Sequence, residues 1–145
     1  MSLFSVLSVS ASGMAAQRTR AELLVQNIAN SETTRTAEGG PYRRKDAIFA
    51  SEPVSASFAS ELESQFNGTM EGVKVAGISV DTSEPERRYL PGHPDADPEG
   101  YVAMPRVNPA EDMVDLMSAT RSYQANVSAM SAIKDMIQHS IELLR

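Results

Sequence analysis

The chain has no cysteine among its 145 residues, and no tryptophan. The first absence excludes a disulfide, a thiolate metal site and a cysteine nucleophile. Histidine is scarce, with only His93 and His139 available as imidazole groups. No Gly-x-Ser-x-Gly elbow, phosphate loop, dinucleotide fingerprint or His-Glu-x-x-His pair occurs. The sequence thus offers no catalytic constellation and no cofactor site, and an enzyme is not expected. Long apolar runs are also missing. The longest are four residues, such as Ala47 to Ala50, against about 20 for a membrane-spanning helix. Direct membrane insertion is not expected. Basic residues are outnumbered, 13 Lys and Arg against 19 Asp and Glu, for a net charge of −6. Nucleic acid is a poor partner for such a chain, because neutralising phosphates needs clustered cations. The one basic cluster, Arg43-Arg44-Lys45, runs into Asp46 and reads as a solvated strand or loop edge. The first positive side chain, Arg18, follows the early apolar stretch, so a cleavable secretory signal is not expected.

What is present is helix at both ends. Asn108 suits a cap and Pro109 the first helical position, with Glu111 placed to reach back to the cap amide. Glu111, Asp112 and Asp115 favour the positive end of the helix dipole. No Pro or Gly follows before Arg145. Met113, Leu116, Thr120, Tyr123, Val127, Met130, Lys134, Ile137, Ile141 and Leu144 alternate steps of three and four. That spacing is a heptad seam. Ser and Ala fill much of the rest (Ser118, Ala119, Ser122, Ala125, Ser128, Ala129), and small side chains let a neighbouring helix come close. The helix would be about 55 Å long, too long to bury itself in a globule of this size. The N-terminal stretch mirrors it. Leu3, Leu7, Met14, Ala21, Leu24 and Ile28 share a spacing interrupted by Ser10 and Gln17, and the helix is expected to stop at Asn30.

The middle differs in texture. Gly39-Gly40-Pro41 marks a turn. Arg44 to Phe49 reads as a short strand, and Phe58, Leu62 and Phe66 have helical spacing before an Asn67-Gly68 turn. Val73, Val75, Ile78 and Val80 read as a strand broken near Gly77. Six of the eight prolines fall in 85–109, which reads as extended loop with strand pieces at Arg88 to Leu90 and Tyr101 to Met104. Asp95-Ala96-Asp97-Pro98-Glu99-Gly100 opens like a calcium loop, but Arg106 stands where the twelfth-position acid is needed. A solvated turn is the better reading, and no metal is expected.

Three blocks carry a resemblance. Asn27-Ile28-Ala29-Asn30, PGHPDADPEGYVAMPRVNP at 91–109 and SATRSYQAN at 118–126 are together similar to the rod members of the flagellar axial protein family, most specifically a proximal-rod member. The resemblance implies a structural subunit of the basal-body rod, built helically from copies of itself and other rod proteins, that transmits torque across the periplasm. It implies contact with an adaptor between rod and motor ring, and passage through the type III export apparatus. Another axial protein of this family is the alternative, and a metal-binding soluble domain a remote one. The expected fold is mostly α with a small β-containing middle. Residues 1–30 and 108–145 form one antiparallel coiled-coil domain, with 31–107 inserted between them. Seam and blocks, with Met117 added as an adaptable side chain beside the seam, give the expected subunit interface: Leu7, Met14, Leu24, Ile28 and Asn30 at one end; Met113, Leu116, Met117, Tyr123, Asn126, Val127, Met130, Ile137, Ile141 and Leu144 at the other.

Overall fold

The computed structural model describes residues 3–53 and 70–143. The expected helix and turn at Phe58, Leu62, Phe66 and Asn67-Gly68, and the seam position Leu144, lie outside the described residues. Two long helices dominate, α1 (Leu3–Ala29) and α2 (Pro109–Leu143). Between them lie two antiparallel pairs of strands. β1 (Lys45–Pro53) pairs with β2 (Glu71–Val80), and β3 (Glu86–Tyr89) with β4 (Tyr101–Met104).

The cap residue of α2 is Asn108, as expected. Asn108 Oδ1 accepts from the Ala110 amide at 3.2 Å, which satisfies one of the amides that a first turn leaves free. The α1 end is closed by Asn30, whose amide donates to the Gln26 carbonyl at 2.9 Å and whose side-chain oxygen accepts from Thr33. The helices run antiparallel. Gly13 meets Asn126, and Arg20 reaches Asp115 at 3.4 Å.

α1 is the centre of the molecule, packed against α2 and against the β1–β2 ribbon. The ribbon is tied to it at three heights. Asn27 bonds Lys45 at one end of the ribbon, Ser12 Oγ accepts from the Val73 amide at 3.0 Å, and Ser5 Oγ donates to the Met70 sulfur at 3.3 Å. β1 extends to Pro53, past the expected end at Phe49, because each residue of 49–53 finds a partner in 71–75. The break in β2 is a bulge. Ile48 pairs with Gly77 and Phe49 with Val75, so Ala76 is left over. In the 85–109 segment both expected strand pieces form, with β3 starting at Glu86 rather than Arg88 and β4 at Tyr101.

Candidate functional site

Two regions gather chemistry-bearing side chains: the junction where α1, β1 and α2 meet, and the outer faces of the helices. At the junction Asn27 is fully buried. Its Nδ2 donates to the Lys45 carbonyl at 2.9 Å. Its Oδ1 accepts from the Lys45 amide at 3.0 Å and from the Tyr42 hydroxyl at 2.9 Å. One side chain therefore satisfies a backbone donor and acceptor at the head of the ribbon. Beside it, Arg44 Nη2 sits 2.9 Å from Oδ1 of Asp112 and 3.5 Å from Asp46. The Asp112 side chain is 1% exposed. Burial pushes its carboxyl up, Arg44 pulls the other way, and Asp46, Asp115 and Glu111 add to the rise. The Tyr42 phenol is also raised, first by burial and then by the charges of Asp112 and Asp46. Arg44 is thus no solvated loop edge, which corrects the reading of the basic cluster. Its charge is drawn inward by a carboxylate on the neighbouring helix.

An open cleft of about 270 Å³ lies next to the junction, lined by Leu23, Leu24, Ala47 and Phe49 with Arg20, Asp115, Lys45 and Asp46. Arg20 and Asp115 pair across it. The acidic turn is built from its own backbone. Asp97 Oδ1 accepts from the Glu99 and Tyr101 amides, and Asp95 accepts from Thr34 Oγ1 at 2.8 Å. Gly100 takes φ +85°, and a Cβ there would come within 2.9 Å of the Tyr89 ring. Tyr89 and Tyr101 meet edge to face at 5.3 Å. Among the described residues no three His, Asp or Glu side chains converge as metal ligands.

On the helices the expected seam divides. Asp112, Ala119 and Ile133 are the buried residues of α2, with Asn126 half-buried on the same column. This column lies one residue before 113-120-127-134-141, about 100° around the helix. It is the column facing α1. Met113, Tyr123, Val127 and Ile141 are exposed, while Leu116, Met130 and Ile137 are half-buried at the border. The supposed interruptions of α1 are part of its contact face. Ser10, Ala16, Leu23, Leu24 and Asn27 are buried and Gly13 lies on Asn126, whereas Leu7, Met14 and Ile28 are half-buried. The reason is distance. Closely packed helices need small side chains at the contact line, and Gly13, Ala16 and Ala119 provide them; the larger apolar residues are displaced to the flanks. Leu24, Asn30 and Asn126 serve contacts within the chain.

The flanks have a direction. Ser5 and Ser12 bond the ribbon, and Leu7 and Met14 lie two residues further on, about 200° around α1. Asp115 lines the cleft with β1, and Met113 lies two residues before it. Both apolar columns therefore sit on the side of the helix pair away from the ribbon. Met117 is exposed beside Met113.

Comparison with known proteins decides the family. Over 150 aligned residues the chain is 45% identical to the flagellar basal-body rod protein FlgC of Bacillus subtilis, covering 99% of both chains. Identity to FlgC of Borreliella burgdorferi is 40% over 151 residues, covering 100% of this chain and 99% of the relative. For FlgC of Salmonella typhimurium it is 35% over 144 residues, with 99% and 98% covered. The chain belongs to the FlgC family of flagellar basal-body rod proteins. Residues 99–143 also match the family described as flagellar basal body rod FlgEFG protein C-terminal. That segment takes in β4 and all of α2, the helix that carries the exposed column. As a FlgC-family member the chain is a structural subunit of the basal-body rod. Asn27 is the residue that sequence reasoning passed over in favour of Asn30. It stands in the first of the three similar blocks, and the asparagine beside an apolar helix face was the available signal.

Proposed function

We propose that this subunit belongs to the proximal rod and packs helically with copies of itself and with other rod proteins, carrying torque across the periplasm. Its role is structural and not catalytic. The observation that supports this reading is the apolar surface turned away from the ribbon. Leu7, Met14 and Ile28 on α1 flank Met113, Leu116, Met117, Tyr123, Val127, Met130, Ile137 and Ile141 on α2, and the exposed column repeats every seven residues. Seven residues is the period that a further helix can follow along its whole length. The intramolecular pair uses the neighbouring column, so the outer one is free for helices of adjacent subunits. At the motor end the expected neighbour is the ring adaptor. Transit is through the type III export apparatus, in keeping with a chain that holds no cysteine.

Val127→Asp tests the interface. Val127 is exposed in the single chain, so aspartate leaves fold and export intact, while a neighbour's helix would bury the charge unpaired. In cells whose own copy is deleted, the variant is expected outside the cytoplasm but absent from purified basal bodies, with swimming lost. Full incorporation would remove the outer column from the interface. Normal swimming after deletion of the gene alone would end the rod reading.

A further inference from the structure

We propose that Met113 and Met117 are a paired oxidation site that bars a damaged subunit from assembly. The inference rests on the rod-subunit reading and adds regulation to its interface. With no cysteine, methionine is the chain's only sulfur, at eight positions. The fold sorts those described into two groups. Met14, Met70, Met104 and Met130 are half-buried, and the Met70 sulfur also accepts the Ser5 hydroxyl. Met113, Met117 and Met136 are 55%, 56% and 52% exposed. Met113 and Met117 stand one helical turn apart, next to exposed Val114, on or beside the outer apolar column. Met136 lies about 140° around the helix from Met113. It is equally accessible but faces another way.

The chemistry is oxygen transfer from a hydroperoxide. The thioether sulfur attacks one peroxide oxygen; the S–O bond forms as the O–O bond breaks. Sulfur loses two electrons, and the leaving hydroxide takes the transferred oxygen's proton and departs as water. The product is a sulfoxide, polar and a strong hydrogen-bond acceptor where the thioether was apolar and adaptable. An interface that seats Met113 and Met117 against apolar neighbours would bury that dipole without a partner. Before assembly the pair is open to peroxide; after assembly it is covered. Oxidation therefore acts on the waiting subunit and leaves the finished structure alone.

The test uses the full chain in cells lacking methionine sulfoxide reductases. A hydrogen peroxide pulse precedes induction of rod assembly, and sulfoxide is then measured at each methionine in assembled and unassembled protein. Sulfoxide at Met113 and Met117 is expected several-fold enriched in the unassembled pool, with sulfoxide at Met136 equally shared. The Met113→Leu, Met117→Leu double variant is expected to show the same basal-body count and swimming with and without the pulse, whatever its level before the pulse, whereas the pulse lowers both several-fold in the native protein. Equal sulfoxide at 113 and 117 in the two pools overturns the proposal, as does a double variant as sensitive as the native chain. A native chain that fails to enter basal bodies without any peroxide instead removes the rod reading, and this proposal with it.

Discussion

Asn27 binds the backbone of Lys45 through both ends of its amide and accepts the Tyr42 hydroxyl as well. Truncation would leave an amide, a carbonyl and a phenol without their partner. At about 1 kcal/mol or more for each buried group left unmet, Asn27→Ala is expected to cost roughly 3 kcal/mol in urea unfolding. Asn30→Ala, which loses exposed local bonds, is expected to cost under about 1 kcal/mol; equal losses would refute the ranking. Asp112 gives a pH test. Its folded pKa is raised, chiefly by burial. Its contribution to stability is therefore fully present below the unfolded value, near about 3.9, and is lost as pH rises through the folded pKa. Asp112→Asn removes that dependence. Native protein is expected to gain on the variant as the pH is lowered through this window, measured by urea unfolding at each pH; a loss on acidification would contradict it. Neither residue was legible as a keystone. An asparagine and an aspartate on a helix read as polar surface until the partner strand is known, and Arg44, the partner that draws Asp112 inward, lies 68 positions away in the chain.

The helices and most strands could be read from the sequence, because capping, periodicity and proline placement are local properties. The face that each helix turns inward could not. Apolarity pointed to the 113-120-127 column, whereas the contact line is chosen by how near two backbones can come, and that depends on Gly13 meeting Asn126. A Cβ on Gly13 would stand 3.1 Å from Asn126 Nδ2. Gly13→Leu overpacks this crossing and is expected to destabilise the helix pair by about 1–3 kcal/mol. Asn126→Ala should recover part of that loss in the double variant, read as a coupling in thermal unfolding. Simple addition of the two effects would show that the residues do not share the crossing. In the second hairpin the prolines and Gly100 announced a turn correctly. Gly100→Ala meets both a left-handed φ and the Tyr89 ring, and is expected to cost about 1–2 kcal/mol, visible as loss of the Tyr89–Tyr101 ring contact in NMR.

For the molecule as a whole, α2 is unequally supported. Its first turns are held by Asp112 and Ala119, and its last residues, Ile141 and Leu143, are exposed. In the isolated subunit, amide exchange is expected to be slowest around Ala119 and fastest beyond Ile137, with the gradient flattened once subunits assemble. A uniformly slow helix in the free chain would refute it. The attachment of ribbon to α1 carries a separate consequence, for how sequences of this family can change length. Asn27 and Ser12 hold ribbon levels Lys45 and Val73, the latter opposite Ser51. Fifteen helical steps cover about 22 Å, and six strand steps cover about 20 Å. The two elements act as a fixed gauge. One residue added to α1 between the anchors turns everything beyond it by about 100°, and one added to the strand exchanges its two faces. Seven added to the helix would restore its facing but call for three in the strand, an odd number that exchanges those faces again. The alignment with the Borreliella burgdorferi relative runs to 151 positions against 145 residues here. The gaps that make up the difference are expected to avoid 12–27 and 45–51, so that evolution lengthens this subunit only where no second element is keeping count.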